Sequence, residues 1–268
     1  MSSVIKVTAI EYPESDGKPM AETDDHRDEM VRHLELLRHH FGEQRVYVSG
    51  NLLIFYEQGN PKKFVAPDVF VVKGIEPKPR RNYKIWVEGK APDVVIETTS
   101  RRTKGKDTGT KPELYARLGV REYFLFDPIQ EYLDPPLQGH RLRGRQFKPI
   151  KPDADGSLWS VELELRLVVE HGELEFYTAS GERLLTREEA CRAAEQLAAR
   201  EAKARRAEEK ARKAAEDLAA REAEARKAEE KARKVAEELA ASEADARRAT
   251  EAECARLRME LQRRNAHR

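Results

Sequence analysis

Two tripeptides repeat in the first half of the chain, Ala66-Pro67-Asp68 and Ala91-Pro92-Asp93, and each opens an apolar run, Val69–Val72 and Val94–Ile96. With the two-residue period of an extended strand, Asp93, Val95, Glu97 and Thr99 share one face. Glu97 is then a carboxylate set among Val94, Val95 and Ile96, where lost hydration is costly unless something binds it. A divalent metal is one such partner. Mg²⁺ is commonly held by one or two carboxylates together with substrate phosphate oxygens and water, and Asp68 and Glu97 on neighbouring strands supply that pair. A nearby lysine can orient attacking water or offset phosphate charge. Lys111, in the first turn of the next helix, is the candidate by sequence order. Asp93, Asp107 and Tyr115 are secondary candidates. The competing reading makes each Pro-Asp a plain strand start, Glu97 an edge or salt-bridged residue, Asp107 a loop residue and Tyr115 core packing.

These residues need elements to hold them. Thr23 to Phe41 carries Met30, Leu34, Leu37 and Phe41 on one helical face, and Gly42 stands where a helix would stop. Val46–Tyr56 reads as a hairpin around Ser49-Gly50-Asn51. Phe64–Val72 is a strand interrupted by Pro67, Lys73–Lys84 a loop, Asp93–Thr99 an apolar strand and Ser100–Gly109 a polar connection. Thr110-Lys111-Pro112-Glu113 has capping-box spacing with proline in the first turn, so a helix runs on to Gly119. Glu122–Asp127 is another strand. Further β-structure extends to Tyr177, with a hairpin at Glu170-His171-Gly172-Glu173. The pattern is a mixed α/β (α+β) body whose sheet carries polar residues inside apolar strands.

The series Ala66–Val72, Ala91–Ser100, Asp107, Lys111, Tyr115, Gly119-Val120 and Glu122–Pro128 resembles the Uma2 family of restriction-endonuclease-like proteins, in the broad PD-(D/E)XK nuclease class. The resemblance covers roughly residues 20–180, and Pro92–Pro128 is its specific part. It implies a restriction-endonuclease-like core with a mixed sheet, and it implies that Asp68 and Glu97 are the motif acids that bind Mg²⁺, with Mn²⁺ as a substitute. The lysine that usually follows two residues after the second acid is replaced here by Thr99, and Lys111 takes its place from the following helix. A further acid on the first helix would fall on Glu29 or Glu35. The implied activity is metal-assisted hydrolysis of DNA phosphodiester bonds. Arg80, Arg81 and Lys84 in one loop, and Arg101, Arg102, Lys104 and Lys106 in another, are candidate phosphate contacts.

Composition divides the chain at residue 185. All 18 aromatic residues, 14 glycines and 13 prolines precede Thr186, while 26 of the last 83 residues are alanine. Residues 1–185 therefore read as one domain, and 186–268 as a helical tail with too few large apolar side chains for a second core. Lys+Arg against Asp+Glu is 28 to 30 in the first part and 22 to 19 in the second. Neither sum announces a nucleic-acid binder, so any such contact must come from a local patch. No apolar run is long enough to span a bilayer, and Met1–Ile10 does not read as a signal peptide. Two cysteines 63 residues apart fit a reducing, cytoplasmic setting.

The tail repeats. Ala193–Lys213 and Ala214–Lys234 match almost position for position, and Val235–Ala255 is a looser third copy. The period of 21 is three heptads, with Leu197, Leu218 and Leu239 at equivalent sites. Thr186 and Glu189 have capping-box spacing, and Glu208/Arg212, Glu209/Lys213, Glu229/Arg233 and Glu230/Lys234 are i,i+4 acid-before-base pairs. A coiled coil that joins two copies of the chain is the preferred reading, and a solitary charge-stabilised helix is its rival. Cys191 and Cys254 lie at outer heptad positions and carry no site. Two functions follow. The chain is a Mg²⁺-dependent endonuclease dimerised by its tail, or it is a catalytically inactive nuclease-like domain on an interaction scaffold.

Overall fold

The computed structural model describes residues 10–15, 17 and 23–265. Most of the Met1–Ile10 stretch examined for a signal peptide thus lies outside the described residues. The chain divides into two compact units at Ala193/Ala194.

The first unit is built on a six-stranded sheet. Helix α1 (Asp24–Phe41) is capped by the Thr23 hydroxyl, which accepts from the His26 amide, and it ends at Gly42. Strands β1 (Val46–Ser49), β4 (Val69–Lys73), β6 (Val94–Thr98), β7 (Glu122–Phe126), β8 (Leu137–Arg143) and β9 (Gln146–Pro149) lie side by side in that order. Within this sheet only the β6–β7 pair is parallel among the described residues, and helix α3 (Lys111–Leu118) forms the crossover between them. Strands β2 (Ile54–Phe55), β3 (Phe64–Val65) and β5 (Tyr83–Lys84) make a second sheet, and β10 (Leu158–Ser160), β11 (Leu165–Glu170) and β12 (Glu173–Tyr177) a third. Helix α2 (Ile85–Glu88) is a single turn.

Both faces of the main sheet are buried, which is why β6 and β7 are almost continuously apolar. Val69, Val71, Val94, Ile96, Phe124 and Phe126 pack with Leu36, Leu37 and Phe41 of α1 and with Leu165, Leu167, Leu174 and Phe176 of the third sheet. Phe70, Val72, Val95, Tyr123 and Leu125 pack with Tyr115 of α3 and with Ile54, Val65 and Tyr83 of the second sheet. At about 25 cal/mol per Å² of apolar area, these two layers are the main source of stability.

Three expectations are corrected. Val46–Tyr56 is not a hairpin: β1 pairs with β4, while β2 pairs with β3 and β5. The intervening turn, with Asn51 at φ 51°, passes the chain from one sheet to the other. Phe64–Val72 is likewise two strands in two sheets, because Pro67 cannot donate to a ladder. The Thr110 side chain makes no cap hydrogen bond, since a π-helical turn at Lys106–Thr110 runs directly into α3. The hairpin at Glu170–Glu173 forms as expected, with Glu170 opposite Glu173 and positive φ at His171 and Gly172.

The second unit is the continuation of α4 (Arg187–Asn265), a helix of 79 residues. Its start carries the reciprocal capping box: the Glu189 amide donates to the Thr186 hydroxyl (3.2 Å), and the Thr186 amide donates to the Glu189 carboxylate (2.8 Å). Lys213 pairs with Glu209 and Lys234 with Glu230, as the spacing predicts. Arg212 and Arg233 instead reach forward to Glu216 and Glu237. Leu197, Leu218 and Leu239 are each about 60% exposed in the single chain, and both cysteines are exposed. Among the described residues, no helix is long and apolar enough to cross a membrane.

Candidate functional site

Antiparallel pairing of β4 and β6 sets Val69 against Ile96, and one step further along the ladder brings Asp68 opposite Glu97. The Asp68 amide donates to Glu97 Oε2 at 3.4 Å, and Asp68 Oδ2 accepts from the Thr98 amide at 2.8 Å. Gly50 permits this arrangement. A Cβ at Gly50 would stand 1.9 Å from the Asp68 carbonyl oxygen, so the β1–β2 turn can lie against the start of β4 only without a side chain there. The Asn51 amide then donates to the Pro67 carbonyl at 2.9 Å.

Helix α3 and the π turn before it complete the cluster from the other side of the crossover. Lys111 Nζ lies 2.8 Å from Glu97 Oε2 and 2.8 Å from Asp107 Oδ1. One turn on, the Tyr115 hydroxyl donates to Glu97 Oε1 at 2.8 Å. Tyr123 on β7 donates to the Asp107 carbonyl at 2.9 Å and fixes the π turn. Glu97 and Asp107 are wholly buried, and Asp68 nearly so. From α1, His26 Nε2 approaches Asp68 Oδ2 at 3.5 Å. The sequence reading missed this histidine. Its signal was present, because His26 precedes the core residue Met30 by four positions and so shares its helical face.

Burial dominates the electrostatics. It pushes the Glu97 carboxyl up to about 8, with Lys111 acting against the rise and the neighbouring acids Asp68 and Asp107 adding to it. Burial also works to lower Lys111, but Glu97, Asp107 and Asp68 outweigh it and hold the ammonium above its ordinary value. For Asp68, burial acts upward, and His26, Lys111 and the Thr98 amide together bring the carboxyl below the usual aspartate range. Burial and the adjacent Glu97 charge raise the Tyr115 phenol well above its normal value, so it is a hydrogen-bond donor. Three carboxyl groups around one ammonium leave an excess of acid, which a cation would offset. Among the described residues, no three His, Cys, Asp or Glu side chains are grouped as a metal cage. The hard oxygen donors of the cluster are the carboxylates of Asp68, Glu97 and Asp107, of which Glu97 is held by Tyr115 and Lys111 and Asp107 by Lys111.

The cluster opens at Asp68 onto a cavity of about 230 Å³ lined by His26, Asp68, Thr99, Arg101, Arg102 and Tyr132 among others. Arg101 and Arg102 are therefore at the mouth of the site, and Lys104 and Lys106 are exposed on the turns that follow.

Other residues singled out from sequence lie elsewhere. Asp93 is at the opposite end of β6, where it accepts from the Lys73 amide at 2.6 Å and pairs with Lys90 at 2.8 Å. Arg80 is held by Glu88 (2.8 and 2.9 Å) and lies over the Tyr47 ring. Arg81 pairs with Glu14, and Lys84 sits over the Tyr12 ring. Of the two candidate glutamates on α1, Glu35 accepts from the Arg187 amide, whereas Glu29 lies 3.0 Å from the buried His33 and one turn from His26.

A family model described as "Uma2: Putative restriction endonuclease" matches residues 8–172. No curated protein matches. Among solved structures, one described as a putative nuclease belonging to DUF820, from Anabaena variabilis, aligns at 14% identity over 55% of this chain and 76% of its own, with a TM-score of 0.40. Asp68, Glu97, Asp107, Lys111 and Tyr115 all fall within the matched residues, on a mixed sheet with a helical crossover. The chain thus belongs to the Uma2 family, within the PD-(D/E)XK nuclease-like superfamily.

Proposed function

We propose that this chain is a metal-dependent endonuclease that hydrolyses DNA phosphodiester bonds, with Asp68, Glu97 and Lys111 as its catalytic residues. The observation that carries the reading is the convergence of Asp68, Glu97 and Lys111, from two strands and a helix, beside a cavity whose rim holds Arg101 and Arg102. Asp68 and Glu97 would hold Mg²⁺, or Mn²⁺ in its place, with substrate phosphate oxygens and water as the remaining ligands. When bound, the ion would polarise the scissile phosphate and acidify a ligated water.

The chain's own groups do the rest. Lys111, kept charged by Glu97 and Asp107, steadies negative charge that develops on the phosphate. Tyr115 fixes the Glu97 carboxylate by donating to Oε1. His26 restrains Asp68 from the cavity side. Arg101 and Arg102, with Lys104 and Lys106 beyond them, offer phosphate contacts that orient the strand without reading its sequence. The C-terminal helix joins two copies as a coiled coil, so that two such sites can address two strands.

The test is cleavage of supercoiled plasmid by the purified chain in Mg²⁺ or Mn²⁺, against the Asp68→Ala, Glu97→Ala double variant. Cleavage by the intact chain and its loss in the variant are expected. Equal cleavage by both would assign the activity to a contaminant and sink the mechanism. One observation favours a catalytically inactive, scaffold-borne domain instead: both Glu97 oxygens are already engaged, by Tyr115 and Lys111. No cleavage in either metal, across a range of salt, would select that alternative.

A further inference from the structure

The β8–β9 hairpin has a charge that its surroundings do not balance. Between Asp134 and Asp153 the sequence contains no acid, yet it holds Arg141, Arg143, Arg145, Lys148 and Lys151. Arg141 is neutralised by the buried Glu122, at 2.7 Å, and also donates to the Trp159 carbonyl. No ion pair in the described structure reaches Arg143, Arg145, Lys148 or Lys151, and all four are exposed. Elsewhere on the body, Arg27, Arg32, Arg80, Arg81, Arg121, Arg166 and Arg183 all have carboxylate partners.

The arrangement is also locally unfavourable. Lys148 stands directly opposite Arg141 in the ladder, and like charges at such positions oppose pairing. Protection of an edge strand explains a lysine and Pro149 on β9, but it does not explain Arg143 and Arg145 at the tip or Lys151 beyond the strand. These cations converge: Arg141, Arg143, Lys148 and Lys151 line one cavity of about 300 Å³ together with the half-buried Trp159. The hairpin is a two-stranded ribbon at the sheet edge whose turn is Gly144-Arg145, flanked by Arg143. Such a ribbon fits the major groove of B-form DNA, and its cations can meet the flanking phosphates.

We propose that the β8–β9 hairpin is a second DNA-binding surface, which grips duplex phosphates away from the catalytic cluster. Glu122, the partner of Arg141, is paired with Val94 at the start of β6, so the hairpin tip projects from the opposite end of the sheet from Glu97. Its role is to anchor the duplex, independently of metal and of bond cleavage. The choice of duplex DNA as the occupant rests on the function proposed above, while the charge of the surface does not.

The experiment is fluorescence anisotropy of a labelled 30-base-pair duplex titrated with the full chain in EDTA, where cleavage cannot contribute. The comparison is the Arg143→Gln, Arg145→Gln, Lys148→Gln variant over a series of salt concentrations. The expected result is at least a tenfold loss of affinity, with a salt slope reduced by roughly two to three, since each phosphate contact contributes about 0.9. The Arg145→Gln, Lys151→Gln variant changes only residues outside the strands, and it is expected to lose affinity in the same direction with an unaltered circular dichroism spectrum. Unchanged affinity and slope in both variants would overturn the proposal. So would binding by the parent chain to phosphatidylserine vesicles but not to the duplex. An absence of plasmid cleavage with this binding intact would count against the nuclease reading alone.

Discussion

At the scale of single residues, Glu97 shows why an acid in an apolar strand is suggestive but not sufficient. Other buried acids of the body, Asp93, Glu122 and Asp127 among them, have structural work. Asp93 holds Lys90 and the Lys73 amide, Glu122 holds Arg141 and the start of the β10–β11 turn, and Asp127 accepts from the Tyr132 and Leu133 amides. Glu97 differs because a second acid, Asp68, abuts it, and because Asp107 shares its one ammonium. Its burial has a consequence for stability. With the folded carboxyl pushed up to about 8 from an ordinary value of 4.5, the folded chain binds more protons than the unfolded chain between those limits. Stability from this group is therefore greatest at the acid end of the window and declines as pH rises toward 8, by at most about 1.4 kcal/mol per pH unit. Asp68, shifted downward, and Lys111, shifted upward, titrate outside that window. His40 and His140, which burial lowers, contribute equally to chains that differ only at Glu97. Urea unfolding in EDTA at pH 5 to 8 should thus show a steeper decline for the parent than for Glu97→Gln. Parallel curves would mean that Glu97 remains ionised throughout.

At the scale of elements, the site depends on a turn that bears no functional side chain. Gly50 lies against the Asp68 carbonyl so closely that even a methyl group requires the backbone of one segment to move. Gly50→Ala is expected to cost about 1–3 kcal/mol, as overpacking does, and to displace Asp68 from the Thr98 amide. Denaturation midpoints give the first effect. Loss of plasmid cleavage beyond that explained by the unfolded fraction gives the second, and a variant as stable and active as the parent would refute the assigned role. This turn also marks the limit of what the sequence discloses. Local β-propensity identifies Val46–Ser49 and Ile54–Phe55 as extended, but strand partners are chosen by tertiary packing, so a hairpin was the natural and incorrect inference. Asp68, Glu97 and Lys111 do lie together, and their proximity is legible because alternation, Pro-Asp starts and helix order are local signals. His26 was not singled out because an α1 histidine beside Met30 looks the same in sequence whether it packs in the core or faces Asp68.

At the scale of the whole molecule, the two units obey different physics. The body buries continuous strands on both sheet faces, whereas the 79-residue helix is built from alanine, charge and a few widely spaced large apolar residues. Its i,i+4 pairs contribute only a few tenths of a kcal/mol each, yet alanine's high helix propensity and the capping box at Thr186 make the helix legible from sequence almost to the residue. Its purpose is less legible, because the same pattern serves a lone helix and a close-packed coil. The recurrence of Leu197, Leu218 and Leu239 every 21 residues is the argument for the paired helix proposed above. A solitary solvated helix gains nothing from three leucines in register, each about 60% exposed, while a paired helix buries them along one seam. Burial of a leucine contributes on the order of 2 kcal/mol, so six of them across two paired helices would be a large share of the association energy. Sedimentation equilibrium at tens of micromolar should therefore find a dimer of the parent chain. The Leu197→Ala, Leu218→Ala, Leu239→Ala variant should be a monomer with its helicity retained, because alanine favours helix more than leucine does. A monomeric parent would leave the leucines without the seam argued for them, and the helix would then be a single charged rod.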